Sequence, residues 1–169
     1  RGQDPQALYG AALDALASLQ LRGDAASHQL PPYDRDVLLR EMRLMPEWFC
    51  ARHLRLELTV AEQQLLAGTF EFLCDEALHQ PLVFVHRDYH SRNLMVLPER
   101  SPGVIDFQDA LRGPVTYDLA SILKDCYIAW PRDLAETWVA SYRDRLLAGG
   151  PTGSRLAGES AAGFLREFD

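Results

Sequence analysis

Lysine is nearly absent from this 169-residue chain: of 17 basic side chains, 16 are arginine and one is Lys124. Glycine occurs eleven times but never as G-x-G-x-x-G, the spacing that wraps backbone amides around a phosphate. Gly153 and Gly158 give G-x-x-x-x-G, yet Glu159-Ser160 follows where a phosphate loop carries Lys and Ser or Thr. A glutamate there repels phosphate, which excludes that motif. Cysteine is scarce too. Cys50, Cys74 and Cys126 are odd in number and widely spaced, so they read as small core residues of a reducing compartment rather than a disulfide frame or metal knuckle. His28, His53 and His79 have no ligand spacing, and a zinc site is not expected. No apolar run approaches the roughly 20 residues that cross a bilayer. Arg1-Gly2-Gln3-Asp4 lacks the apolar stretch of a secretory signal. The expected location is the cytoplasm, with no membrane partner. With 24 acidic side chains the formal charge is −7, which argues against nucleic acid as a partner.

Hydrophobic residues make up 47% of the chain, enough for a sizeable core in one domain. Asp4-Pro5 is a helix start, and Leu8, Ala12, Ala15, Leu16 and Leu19 follow at helical spacing, with Gly23 just past the end. Residues 24–36, with Pro31-Pro32, read as a loop. A second helix is predicted from about Asp36 to Met45, stopped by Pro46. Thr59 and Glu62 form a capping box ahead of a long helix whose buried face is Leu65, Leu66, Thr69, Phe70, Leu73 and Leu78, ended by Pro81. Then the texture turns β-rich: Leu82–Val85, Leu94–Leu97 and Val104-Ile105, with a turn at 98–103. Helices return over about Tyr117–Ala129 and Pro131–Leu147. Residues 151–158 read as loop, and 159–169 as the start of an amphipathic helix. There is no βαβ alternation, so a doubly wound sheet is not expected. The expectation is an α+β fold, mainly helical, with one small β-hairpin.

That hairpin carries the unusual chemistry. Val85 is followed by His86-Arg87-Asp88-Tyr89-His90-Ser91-Arg92-Asn93, which contains H-R-D-x-x-x-x-N. Thirteen residues after Asn93 comes Asp106-Phe107, at the end of a predicted strand. Phosphoryl transfer needs a carboxylate to orient the acceptor hydroxyl and oxygen ligands to hold magnesium against the phosphates. Asp88 suits the first task, Asn93 and Asp106 the second. Pairing of the two strands would set Asn93 beside Asp106. Each residue alone has a plainer reading: Asp and Asn cap turns, and His86 after an apolar strand is a packing residue. Trp138 and Tyr142, at helical spacing, read as core.

With these motifs the sequence resembles the C-terminal lobe of the aminoglycoside phosphotransferase and choline kinase-like family, small-molecule relatives of protein kinases. The features are His86, Asp88, His90 and Asn93; Asp106-Phe107-Gln108-Asp109-Ala110 in place of D-F-G; and Gly113-Pro114-Val115-Thr116-Tyr117-Asp118-Leu119-Ala120-Ser121, with no A-P-E after it. The run from Asp106 to Pro131 is similar, more narrowly, to bacterial anomeric sugar kinases of cell-wall recycling. The resemblance implies a kinase-like fold in which residues 1–169 form one C-terminal lobe, without the N-lobe and with the last helix cut short. It implies ATP and Mg2+ as cofactors, with Asp88 catalytic, Asn93 and Asp106 as metal ligands, and His86 and Asp118 supporting the loop. The acceptor it implies is a sugar or aminocyclitol hydroxyl, most closely the C1 hydroxyl of N-acetylmuramate or N-acetylglucosamine.

His90, Asp109 and Arg112 are candidate acceptor-binding residues, Arg112 through a carboxylate such as the lactyl group of N-acetylmuramate. An aminoglycoside antibiotic kinase is the alternative enzyme. A pseudokinase-like binding module is the alternative of another class, disfavoured because Asp88, Asn93 and Asp106 are all present. Lys124, predicted on a helix, is not a strand lysine for the phosphates. The chain by itself is therefore expected to be inactive, with Phe164, Leu165 and Phe168 short of packing partners. Oligomeric state is left open.

Overall fold

The computed structural model describes residues 4–169, which divide into two compact units: residues 33–80, and the remainder on either side of them.

The larger unit begins with α1 (Pro5–Ser27). Asp4 accepts the Gln6 N–H at 3.0 Å, and Pro5 sits in the first turn, where its missing N–H costs nothing. The helix does not stop at Gly23. A Cβ there would lie 3.4 Å from the Cβ of Phe84, so this glycine is a point of close approach inside the helix. Strand β1 (Leu82–Val85) carries Phe84 and pairs antiparallel with β4 (Leu111–Pro114), Phe84 opposite Arg112 and Val85 opposite Leu111. Sequence patterning missed β4, because Leu-Arg-Gly-Pro has neither alternation nor β-branched residues. Its place is fixed by pairing with β1 and by the Arg112 N–H donating to Pro31 O at 2.9 Å. Between them, β2 (Leu94–Met95) and β3 (Gly103–Val104) form the expected hairpin in shorter strands, Leu94 opposite Val104.

Helix α4 (Tyr117–Leu123) ends six residues earlier than its pattern predicts. Asp125 accepts the Tyr127 N–H at 2.9 Å, and that turn replaces the next helical one. Lys124 is thus the C-cap, with Nζ bonded to the Phe168 and Asp169 carbonyls. Helix α5 (Arg132–Leu147) follows, then α6 (Gly150–Leu156) where a loop was expected, and α7 (Ala161–Phe168). Phe164 and Phe168 are buried, so the expected shortage of packing partners does not hold for them. Leu13, Leu16, Val83, Leu119, Tyr142 and Leu146 lie in the core. One polar path crosses it: Tyr142 donates to Gln20 Oε1 at 2.7 Å, and Gln20 Nε2 to Val115 O at 3.2 Å. Every buried polar atom on that path is answered, which is what keeps it affordable.

The second unit holds α2 (Arg35–Leu44), a π-helical stretch (Met45–His53) and α3 (Val60–His79). Pro46 does not end the helical run. The chain widens into π-turns there, and Pro46 falls in the first turn of that stretch, where a missing N–H is tolerated. The Thr59–Glu62 capping box is present in both directions, at 2.8 and 3.3 Å. The predicted buried face of α3 is not realised: Leu65 is 71% exposed and Leu73 46%, with Cys74 buried instead. So few segments cannot cover a twenty-residue helix. Cys50 is buried as expected, whereas Cys126, in the larger unit, is exposed. Among the described residues no helix is long and apolar enough to cross a membrane.

Candidate active site

Strand β1 delivers its chain directly into the segment 86–93. The His86 and Arg87 N–H groups donate to the two oxygens of Asp118 at 2.7 and 3.1 Å. Asp118 is fully buried on the first turn of α4. Burial pushes its carboxyl up to about 7, and the two amide donors work against that rise. His86 is fully buried as well. Burial lowers its imidazole, while the Ile105 backbone, Asp88 and Asp106 oppose that shift, so the neutral ring is favoured.

Arg87 then takes a left-handed backbone, φ 77°, and Asp88 follows as an exposed carboxylate. Such a conformation costs an arginine about 1 kcal/mol or more, and strain of this kind gathers where chain direction matters. The Asp88 carbonyl accepts two bonds at 3.0 Å, from the His90 N–H and from Asn93 Nδ2. The loop is therefore curled around the residue that carries the exposed acid. Tyr89 fixes it from below, with its hydroxyl on Ala12 O at 2.7 Å and its ring edge-on to His86.

Asn93 leads into β2, and the Ile105 N–H returns to Asn93 O at 3.2 Å. Asp106, the next residue, also has a left-handed backbone, φ 71°. The hairpin thus brings Asn93 and Asp106 to the same end. Their donor chemistry fits a hard divalent cation. Asn93 spends its amide nitrogen on Asp88, which leaves Oδ1 as the open oxygen. Asp106 Oδ1 takes Gln108 Nε2 at 2.6 Å, and Oδ2 meets no donor among the described residues.

The phosphotransferase enzyme family model matches residues 1–158. The chain belongs to that family. Its relatives include the N-acetylmuramate/N-acetylglucosamine kinase of Neisseria meningitidis serogroup B, 45% identical over 82% of this chain and 41% of the relative. The kinase of the same name from Pseudomonas aeruginosa is 52% identical over 73% of this chain and 36% of its own length. That of Caulobacter vibrioides is 32% identical over 97% of this chain and 48% of its own. The chain spans less than half the length of each of these relatives.

In this phosphotransferase-family chain the other sequence candidates do not gather at one point. Asp109 is exposed beyond β3. Arg112 lies in β4, on the face shared with Phe84, and its charge helps lower the Asp24 carboxyl. Strand pairing therefore directs it toward α1 rather than toward the 86–93 loop. His90 is half-buried, with its ring 6.2 Å from Tyr127. Trp138 and Tyr142 are buried, as their spacing indicates.

Sequence reading also missed one anchor. Asp125 Oδ2 accepts both the N–H and the hydroxyl of Ser91, at 3.0 and 2.6 Å. The loop is thus held by a carboxylate at each end, Asp118 at 86–87 and Asp125 at 91. The Asp125–Tyr127 spacing of an Asx turn was the available signal.

Proposed function

We propose that this chain is the C-terminal lobe of an ATP-dependent phosphotransferase acting on an amino sugar, moving the γ-phosphoryl group to the C1 hydroxyl of N-acetylmuramate or N-acetylglucosamine. The observation that carries this reading is the doubly clamped 86–93 loop with Asp88 exposed at its apex. The names of the relatives supply the acceptor class.

Asp88 orients the acceptor hydroxyl and takes its proton. The new O–P bond forms at the acceptor oxygen as the bond from the γ-phosphorus to the bridging oxygen breaks, releasing ADP. Asn93 Oδ1 and Asp106 would hold Mg2+. Magnesium, when bound, neutralises charge on the phosphates. Asp118 keeps the His86-Arg87 amides in place, so Asp88 is not carried by a mobile loop. The N-lobe that covers the nucleotide belongs to a longer protein in this reading. The chain by itself has no glycine-rich loop and no strand lysine, and it is expected not to transfer phosphate.

The test uses that longer protein. Asp88→Asn is expected to lower kcat by orders of magnitude and leave ATP binding largely intact. Near-normal turnover of both sugars by the variant refutes the assignment. Clear transfer from ATP by the 169-residue chain alone refutes the lobe reading.

A further inference from the structure

Arg92 sits four residues after Asp88 and immediately before Asn93. Its side chain is exposed but not loose. Nη1 donates to the Tyr127 hydroxyl at 3.0 Å, and the guanidinium carbon stands 5.3 Å from the centre of that ring. Tyr127 is fixed in turn. Its N–H binds Asp125 Oδ1 at 2.9 Å, and the other oxygen of Asp125 holds Ser91, the residue before Arg92. The loop and the tyrosine therefore form one unit joined through a single carboxylate.

Several other arginines in the chain meet acids. Arg35 pairs with Glu71 and Asp75, Arg132 with Glu136 and Asp169, Arg145 with Asp14, and Arg155 with Asp24. Arg92 pairs with no carboxylate among the described residues; Tyr127 is its hydrogen-bond partner. A guanidinium has five donors in a planar fork suited to a carboxylate. Here one donor is spent on orientation, and the rest of the fork is exposed on the loop that also carries Asp88.

We propose that Arg92, held on Tyr127, pairs a carboxylate of the acceptor and so favours an anionic amino sugar, with the lactyl carboxylate of N-acetylmuramate as its partner. This rests on the amino-sugar reading above. N-acetylglucosamine has no carboxylate and does not engage the fork. A polycationic aminoglycoside meets an uncompensated positive charge there, which sets the two enzyme readings apart.

The experiment measures kcat/KM for both sugars, with the KM for ATP, in the longer protein and in Arg92→Ala, Arg92→Lys and Tyr127→Phe. A charge-assisted pair is worth about 1.5–3 kcal/mol, or roughly tenfold and upward. The preference for N-acetylmuramate over N-acetylglucosamine is expected to fall by about that factor in Arg92→Ala, chiefly through KM. Arg92→Lys recovers part of it, and Tyr127→Phe, which keeps the ring and loses the hydroxyl, gives a smaller fall. Calorimetric binding of N-acetylmuramate should weaken in the same order. Turnover of N-acetylglucosamine serves as the control for folding. Equal losses on both sugars, or no change in the ratio, overturn the inference and leave the functional reading standing. So does a rise confined to the KM for ATP, which would mean that Arg92 meets a phosphate. Turnover of neither sugar by the unmutated protein overturns the functional reading, and this inference with it.

Discussion

The Asp118 carboxylate receives the His86 backbone N–H at 2.7 Å from thirty-two residues further along the chain, inside the core. Both residues are fully buried, and the bond sets where β1 ends and the 86–93 loop begins. Its second oxygen does the same for Arg87.

Asp118→Ala takes the acceptor from both amides, the His86 one in the interior and the Arg87 one partly buried. Each unmet buried donor costs about 1–3 kcal/mol, so a loss of several kcal/mol is expected in urea unfolding of the chain. The pH dependence has a definite sign. The folded carboxyl is raised to about 7 by burial, above the roughly 4 of an unfolded aspartate. Its contribution is therefore complete below pH 4 and is lost as pH rises through 7. Asp118→Asn should flatten the fall in stability between those values. An unchanged slope would mean that the carboxylate is not the titrating group.

Most of the candidate site was legible because its residues are close in sequence. H-R-D-x-x-x-x-N and Asp106 are joined by a hairpin whose turn residues are visible at Pro98–Gly103. The position of Arg112 was not legible because β4 exists only through pairing with β1 and Pro31, contacts that local pattern does not encode. The Ser91 partner of Asp125 and the Arg92–Tyr127 contact were hidden for the same reason, since both join residues more than thirty positions apart, even though the turn at Asp125 has a local signal. Among helices, starts were read better than ends. Capping residues mark a start locally, as at Asp4 and Thr59, whereas α1 and α4 end where tertiary contacts decide.

Gly153 is a second place where packing replaces a motif. In the sequence it belongs to a glycine pair that resembles a phosphate loop. In the fold it lets α6 close against the end of α5, and a Cβ there would lie 2.6 Å from Leu146 O and 2.9 Å from Leu147 O. Backbone cannot yield as a flexible side chain does. Gly153→Ala is expected to destabilise the chain by about 1–3 kcal/mol in denaturant unfolding. Gly158→Ala, with nothing within 4 Å of the new atom, should change it far less. Equal effects at both positions would contradict the close-packing account.

Arg155 ties three elements together. It reaches both oxygens of Asp24 on α1, at 2.5 and 3.4 Å, Leu82 O at the start of β1, and Thr152 Oγ1 on its own helix. Its guanidinium holds the Asp24 carboxyl below the usual range. Arg155→Ala should cost about 1–3 kcal/mol at neutral pH. For a lowered carboxyl the stabilisation is present above the unfolded value of roughly 4 and is lost as pH falls through the folded one. The gap between unmutated and variant chains should therefore narrow on acidification, measured as thermal midpoints across pH 2–7. A gap that stays constant would assign the effect to packing of the arginine stem rather than to the ion pair.

Asp106 joins backbone strain to the proposed metal role, and the two can be separated. Its φ of 71° costs an alanine roughly 1–2 kcal/mol and a glycine almost nothing. Asp106→Ala and Asp106→Gly remove the same carboxylate but differ in how well they tolerate that backbone. If Asp106 supplies an oxygen to Mg2+ beside Asn93, both variants of the longer protein lose magnesium-dependent ATP affinity to a similar degree, because each lacks the charged ligand. Stability should divide them the other way, with the glycine variant unfolding no more easily than the alanine one. Calorimetry of ATP binding with and without Mg2+, together with urea midpoints, reads both quantities on the same samples. Should the glycine variant keep its Mg-ATP affinity while alanine loses it, the residue acts by shaping the end of the hairpin, and the ligand role falls to some other oxygen.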